Sequence, residues 1–366
     1  MFVDKIEVDY TCYQLIPTKS NKNNKTERIA SWINKLHTPS AKQFVIQDKQ
    51  LIINTPMKAV FYIHITKHAI TFYFILPTKH NKSFHTVCKD VWTHVEIKDE
   101  QLPMIHNSTI VSLEYMYNDA MSLAVDRRNN DLLNSNLVIT ESLADDEELG
   151  ILYNFIPTSR HEMDYCQCRQ FPEDIKKFKS GDSLRKVRSL REYLIYFVGE
   201  SFDFIDDIIC GMLDSPKTSM TRRKNEPSSN TLKKVTEELC KVQCVLVSSA
   251  ATKEREKDLI QTLGTTFNII AEDNELKTTR QIEKFDILKN QWSSVPVNKM
   301  SIQEAGNFIS LPSTEVIQHF QMVKHNKVFE RAAPETLLSG AVKIGTLKNK
   351  EKSCMIYYSS DKEIRR

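Results

Sequence analysis

Asn298-Lys-Met-Ser-Ile-Gln-Glu-Ala-Gly-Asn-Phe-Ile-Ser-Leu-Pro-Ser-Thr-Glu-Val-Ile (298–317) reads as a short helix, a Leu-Pro corner and a second helix. After a charged spacer come Pro334-Glu-Thr-Leu-Leu-Ser-Gly-Ala-Val-Lys-Ile-Gly-Thr (334–346) and Met355-Ile-Tyr-Tyr-Ser-Ser-Asp-Lys-Glu-Ile-Arg-Arg (355–366), each carrying one strand. Such an order opens an α/β layer, so residues 226–366 are expected to hold the incomplete start of an α/β domain. Ahead of it the reading places an α+β N-terminal domain at 1–104 and a second α+β and helical region at 105–225.

Glycine is scarce, with 8 in 366 residues, where an average protein has roughly 7%. Neither G-x-x-x-x-G-K-[ST] nor G-x-G-x-x-G occurs, so no glycine-rich phosphate loop can form from these residues. Lys and Arg number 50 against 47 Asp and Glu, a net +3, so attraction to a polyanion has to come from local patches. The N-terminus, Met-Phe-Val-Asp-Lys-Ile-Glu-Val, is too charged for a signal peptide. The longest apolar run, Tyr193–Leu213, carries Glu200, Asp203, Asp206 and Asp207, which a bilayer core rejects. Eight cysteines, most within apolar patterns, fit reduced thiols. The expected location is cytoplasmic, or peripheral at the inner face of a membrane.

Ile6, Val8, Tyr10 and Cys12 alternate with Glu7, Asp9 and Thr11 as in a half-buried strand. Ile29, Trp32, Ile33 and Leu36 take helical spacing. Ala59–Thr66 and Ala69–Leu76 form a hairpin about Lys67-His68. Phe84, Val87, Cys88, Val91 and Trp92 mark a second helix, and Val95–Ile97 a short strand. This is the order of a ferredoxin-like split βαβ sandwich.

Further on, strands are expected at Ser108–Tyr117, Met121–Asp126 and Gly150–Pro157, with a helix over Leu132–Ala144. Helices follow at Arg160–Lys179 and Ser189–Leu213, then a linker over Asp214–Asn230, which holds Pro216 and Pro227. Beyond it the texture becomes α/β. A helix over Thr231–Leu239 leads to a buried strand at Lys241–Ser248. Helix Thr252–Leu263, a second buried strand at Thr266–Ala271 and helix Gln281–Trp292 complete it. No internal repeat is visible.

Cys166, Cys168 and His161 offer three soft ligands, but structural zinc takes four and no second pair lies near in sequence. His85 and Cys88, one turn apart, read as a helix face, and Cys240 and Cys244 as small buried side chains. No Ser/His/Asp set or G-x-S-x-G elbow occurs. The acidic turn Glu272-Asp-Asn-Glu275 reads first as a capped polar turn, with a magnesium-binding edge as the alternative. No catalytic, cofactor or metal residue is assigned. The candidate nucleic-acid contact is the basic run Lys176, Lys177, Lys179, Arg185, Lys186, Arg188 and Arg191, joined by Arg222, Arg223 and Lys224. Its ordinary alternative is a solvated helix face.

Several segments stand in one order: Thr231-Leu-Lys-Lys-Val, Glu238-Leu-Cys-Lys-Val-Gln-Cys-Val-Leu-Val-Ser-Ser, Glu272-Asp-Asn-Glu-Leu, Asn298 to Pro312, and Gly340-Ala-Val-Lys-Ile-Gly-Thr. Together they resemble the part ahead of the Walker A loop in HerA–FtsK-type ATPases of bacterial conjugation and type IV secretion. Met121-Ser-Leu-Ala-Val-Asp and Tyr153-Asn-Phe-Ile-Pro-Thr-Ser-Arg carry the likeness more weakly. The resemblance implies a RecA-like motor sheet beginning near Val342–Thr346 and Met355–Ser359. In the intact family it also implies ATP and magnesium, a hexameric ring, and contact with conjugation-channel proteins or DNA. The family's phosphate loop and its lysine have no counterpart here, so no catalytic residue carries over. The expectation is a truncated or split motor from a mobile element that is no enzyme by itself. The alternative is a non-catalytic DNA-binding or adaptor module.

Overall fold

The structure, a computed structural model, describes residues 3–6, 9–19, 21–36, 44–47, 50–54, 58–92, 94–103, 105, 108–126, 131–182, 184–186, 226–282, 295–326, 342–348 and 353–358. The single half-buried strand read over residues 6–12 is not found: β1 (Val3–Ile6) and β2 (Tyr10–Ile16) belong to different sheets, and β2 is buried without alternation from Tyr13 on, while the period-3.6 pattern gives α1 (Glu27–Lys35). β3 (Phe44–Gln47), β4 (Gln50–Asn54), β5 (Ala59–Thr66), β6 (Ile70–Pro77), α2 (Asn81–Val91) and β7 (Glu96–Asp99) follow. β1, β4 and β3 form a small sheet of their own. In the main sheet the lateral order is β7-β2-β6-β5, with every neighbour antiparallel. α1 buries Ile29, Ala30 and Ile33, and α2 buries Phe84, Cys88 and Val91, in one cluster with Phe61, Ile63, Phe72 and Phe74. Both helices therefore cover the same face.

The next stretch repeats the plan. It comprises β8 (Thr109–Tyr115), α3 (Leu132–Leu137) and β9 (Glu148–Ile156). A detour through α4 (Arg160–Tyr165), α5 (Phe171–Lys179) and α6 (Ser229–Lys234) leads to β10 (Leu239–Ser249), α7 (Lys253–Thr266) and β11 (Leu276–Gln281). Here the order is β11-β8-β10-β9, again antiparallel throughout. In each half the fourth strand lies outermost, followed by the first, third and second. The two second strands, β5 and β9, pair antiparallel from Ala59↔Phe155 to Thr66↔Glu148. The strand order therefore reads the same outward from this pair in both directions. The sequence hides this repeat because its insertions fall at different points, between α1 and β5 in one half and between β9 and β10 in the other.

β12 (Asn298–Ser301) pairs with Leu239–Val242 of β10, in line with β8, and runs into α8 (Ile302–Phe308) and then α9 (Thr314–His319). Asn326–Arg366 form a separate unit, whose described residues make the antiparallel hairpin β13 (Val342–Lys348) and β14 (Ser353–Tyr358).

The architecture is α+β, and several finer expectations change. The α/β texture read beyond Asn230 is a continuation of the antiparallel sheet: β10 is buried on both faces, yet both its long partners run antiparallel to it. Strands from all three expected segments share that sheet. Met121–Asp126 is no strand; its backbone groups are taken by side chains and loops. Thr266–Ala271 is not a strand either, because α7 runs through Thr266 and a 3₁₀ turn continues to Ile270, burying Phe267 and Ile270 at i,i+3. The helix read over Leu132–Ala144 stops at Leu137 and tightens into a 3₁₀ turn, Val138–Ser142. Helix Ser189–Leu213 and the linker up to residue 225 lie outside the described residues. So does most of helix Gln281–Trp292; Gln281 itself ends β11.

Gly264 shows how tightly α7 lies on the edge strand. A Cβ there would sit 2.7 Å from Cγ2 of Thr278, closer than packed carbon atoms approach. Gly264→Ala is expected to lower stability by about 1–3 kcal/mol. Adding Thr278→Ser, which removes that methyl, should recover most of the loss in a urea titration; no recovery would place the strain elsewhere.

Candidate functional site

Three of the segments that stand in one order in the sequence, those at 231–235, 272–276 and 298–312, converge in space around residues 115–124. Glu304 and Lys234 form an ion pair at 2.9 Å with both side chains wholly buried. Charges so placed persist only when their remaining hydrogen-bonding capacity is satisfied, and here it is. Glu304 Oε1 accepts from the Tyr115 hydroxyl at 3.0 Å and the Leu123 amide at 2.7 Å, and Oε2 from the Ser301 amide at 2.6 Å. Lys234 Nζ also donates to the Met121 carbonyl at 3.3 Å and lies 4.9 Å from the centre of the Tyr115 ring. Burial and the Glu304 carboxylate push the Tyr115 hydroxyl well above its ordinary pKa. Ser301 and Glu304 close a reciprocal cap at the start of α8. That S-x-x-E spacing is the one signal in the sequence that could have found this carboxylate.

Asn274, 1% exposed, donates to the carbonyls of Tyr117, Asn118 and Met121 and accepts from the amides of Tyr117 and Glu275. Asn298 accepts from the Tyr115 amide and donates to the Leu113 carbonyl, finishing β8 where β12 leaves off. Asp273 accepts from the Ser228 amide at 2.7 Å and the Thr231 hydroxyl at 2.6 Å, while Thr231 receives the Ser122 amide. Ala124 bonds to Ile270 and Asn307. Residues 121–124 thus have no neighbouring strand among the described residues, their backbone groups being taken by side chains and by the backbone of Ile270 and Asn274. In the acidic turn, Glu272 meets Asn230, Asp273 accepts from Ser228 and Thr231 where the Ser228 side chain caps α6, Asn274 accepts from the next amide, Glu275, and Glu275 pairs with Lys277. The arrangement is a clamp whose polar atoms already have protein partners.

No family model matches this chain. No curated protein matches it either.

The basic run lies on a different surface. Phe171, Ile175 and Leu184 anchor α5 and its exit in a small core with Cys166, Met121 and Leu239. That leaves Lys176, Lys177, Lys179 and Arg185 exposed. Residues 184–186 run beside 116–118, with Asn118 donating to Leu184 and Lys186 to Met116 along the backbone. Lys186 departs from the expected set: it pairs with Asp119 at 2.9 Å and lies 5.7 Å from the centre of the Tyr115 ring. Arg188, Arg191, Arg222, Arg223 and Lys224 lie outside the described residues.

The cysteine candidates separate. Cys166 is buried in the π-helical turn joining α4 to α5, 3.3 Å from Lys299 Nζ, while Cys168 is exposed. Burial pushes the Cys166 thiol up, with Lys299 opposing. Lys299 also stands 3.6 Å from Glu162, which pairs with Lys241 at 2.9 Å. Cys88 is buried, and His85 rests edge-on to Tyr13 at 5.1 Å. Cys240 and Cys244 are buried in β10 with both thiols pushed up by burial, Cys240 to about 12. Among the described residues no three His, Cys, Asp or Glu side chains gather as metal ligands. No described helix is long and apolar enough to cross a membrane.

Proposed function

We propose that this chain is an accessory region of a HerA–FtsK-type motor of conjugative DNA transfer or type IV secretion, lacking the nucleotide-hydrolysing loop in these 366 residues. One observation carries the reading: three of the segments on which the resemblance rests, those at 231–235, 272–276 and 298–312, meet in the clamp around residues 115–124, so their order and spacing serve one structural purpose. The ferredoxin-like reading of residues 10–99 is supported by the 4-1-3-2 strand order with both helices on one face. The reading of Val342–Lys348 and Ser353–Tyr358 as the first motor strands is supported by their pairing as a unit apart from the large sheet. ATP and magnesium belong to the intact motor; partners would be further copies in a ring, channel proteins or DNA.

The glycine-rich loop and its lysine, which supply the family's main phosphate binding and transition-state stabilisation, do not occur as a motif in this sequence. The purified chain is expected to show no saturable ATP hydrolysis; saturable turnover would refute it. Parentage is tested in the DNA beyond the Arg366 codon, where a reading frame encoding a glycine-rich loop followed by Lys-Ser or Lys-Thr supports the proposal and its absence overturns it.

A second reading, a non-catalytic DNA-binding or adaptor module, is favoured by one observation. Lys176, Lys177, Lys179 and Arg185 are exposed together on and just after α5, and none is paired with a carboxylate among the described residues.

A further inference from the structure

The two topologically equivalent halves of the sheet differ sharply in charge. Residues 10–99 carry 13 Lys and Arg against 5 Asp and Glu, whereas the strands and helices of the second half, residues 109–156 and 239–281, carry 8 against 15. The fold itself therefore does not demand a basic helical layer; its own twin builds the same topology without one.

The excess lies on one side of the first half. Lys79, Lys82 and Lys89 are exposed along α2 and the turn before it, with exposed Thr86 between them. At 1.5 Å per residue this row spans roughly 15 Å. Two links hold the approach to α1 against the far end of α2. Trp92 Nε1 donates to Asn23 at 3.1 Å, and Arg28 pairs with Asp90 at 2.6 Å. Exposed Lys22 and Lys25 thereby extend the row beyond Lys89. Among the described residues none of these five lysines is paired with a carboxylate, while Lys67, Lys98, Lys186, Lys241, Lys253, Lys277 and Lys299 all are. Like charges gathered without counter-ions cost the fold self-repulsion.

We propose that this row, Lys79, Lys82 and Lys89 on α2 with Lys22 and Lys25 beside α1, is a binding surface for the phosphate backbone of a nucleic acid. The observations favour that partner over an apolar protein groove or an inserted membrane contact. The exposed large apolar side chains of the described residues are Val138, Tyr165, Leu232, Ile269 and Met355, none of them in this half. Stable protein interfaces need an apolar centre, and interfacial helices need an apolar face. Backbone recognition needs cations and small polar side chains, which this row offers. The surface is separate from the α5 run and stands without the motor reading.

The test is fluorescence anisotropy of the full chain with a short labelled DNA duplex, titrated from low to physiological salt. Wild type is expected to bind with a steep salt dependence. Lys79→Glu/Lys82→Glu/Lys89→Glu should weaken binding by about tenfold or more and flatten the slope of log K against log salt by about 2–3, near 0.9 per lost phosphate contact. Thermal melting confirms that the variant is folded, and the milder Lys→Gln triple should fall between it and wild type. A parallel Lys176→Glu/Lys177→Glu/Lys179→Glu variant separates the two surfaces. If it alone loses binding, this inference is overturned and the α5 reading stands. If wild type fails to bind DNA, both fall. If the α2 variant loses binding to phosphatidylserine vesicles while wild type ignores DNA, the surface serves a membrane and the proposal is wrong.

Discussion

Lys234→Met is expected to cost the fold about 3–5 kcal/mol, the range for breaking a buried ion pair from one side. The reason is what remains. Glu304, wholly buried, would be left with the Tyr115 hydroxyl and two backbone amides, its ion-pair partner gone. Glu304→Gln should cost a similar amount, because it removes the counter-charge of Lys234 and turns an amide NH2 toward donors that had met a carboxylate oxygen. The double variant is the informative one. Once the first substitution has stranded its partner, the second removes a liability, so the pair together should cost less than the sum of the singles by about 1–3 kcal/mol. Urea midpoints of the four proteins decide it. Additive costs would mean that the two groups do not feel each other and that the pair is not held as described.

The same clamp explains why some of this chain was legible in its sequence and some was not. α1, α2 and the β5–β6 hairpin were readable because their neighbours are local and burial follows the period of the element: Ile29 and Ile33 on one helix, Phe84, Cys88 and Val91 on the other. Met121–Asp126 was misread for the opposite reason. Its apolar residues Met121, Leu123 and Ala124 are buried as a strand's would be, yet its hydrogen-bond partners lie at 231, 270, 274, 304 and 307. No local pattern announces partners that distant. Phe267 and Ile270 deceived in a similar way, since a short apolar run serves a buried strand or the end of a helix equally well. The doubling of the split βαβ plan was invisible because it is a repeat of connectivity and not of spacing. The basic run between 176 and 191 was visible as composition, but composition could not say that Lys186 turns inward to Asp119. Nor did it single out the lysines of α2, which are dispersed along the sequence and meet through the Arg28–Asp90 and Trp92–Asn23 contacts.

Asn274 carries the other large effect. Its side chain stands in for a short strand, linking the end of β8 to the loop at Met121 through three carbonyls and two amides. Asn274→Ala strips partners from all five groups. With about 1–3 kcal/mol for each buried group left unpaired, and water re-entering to relieve some of them, a loss of about 3–5 kcal/mol is expected. Asn274→Asp tests the orientation of the amide. The aspartate keeps an oxygen for the Tyr117 and Glu275 amides but turns its second oxygen toward three carbonyl oxygens, so only the protonated acid fits. Its folded pKa must then lie above the unfolded value of about 3.9. The sign follows from linkage. Below the unfolded pKa both states are protonated and no charge penalty arises, and as pH rises from there toward the folded pKa the unfolded state releases its proton first and stability drains away. Relative to wild type, the Asp variant should therefore be worse than Ala at neutral pH and approach wild type as the solution is acidified toward pH 4. A flat difference across that range would mean that water reaches residue 274, and that the segments at 115–124, 231 and 298–304 are not tied together through it.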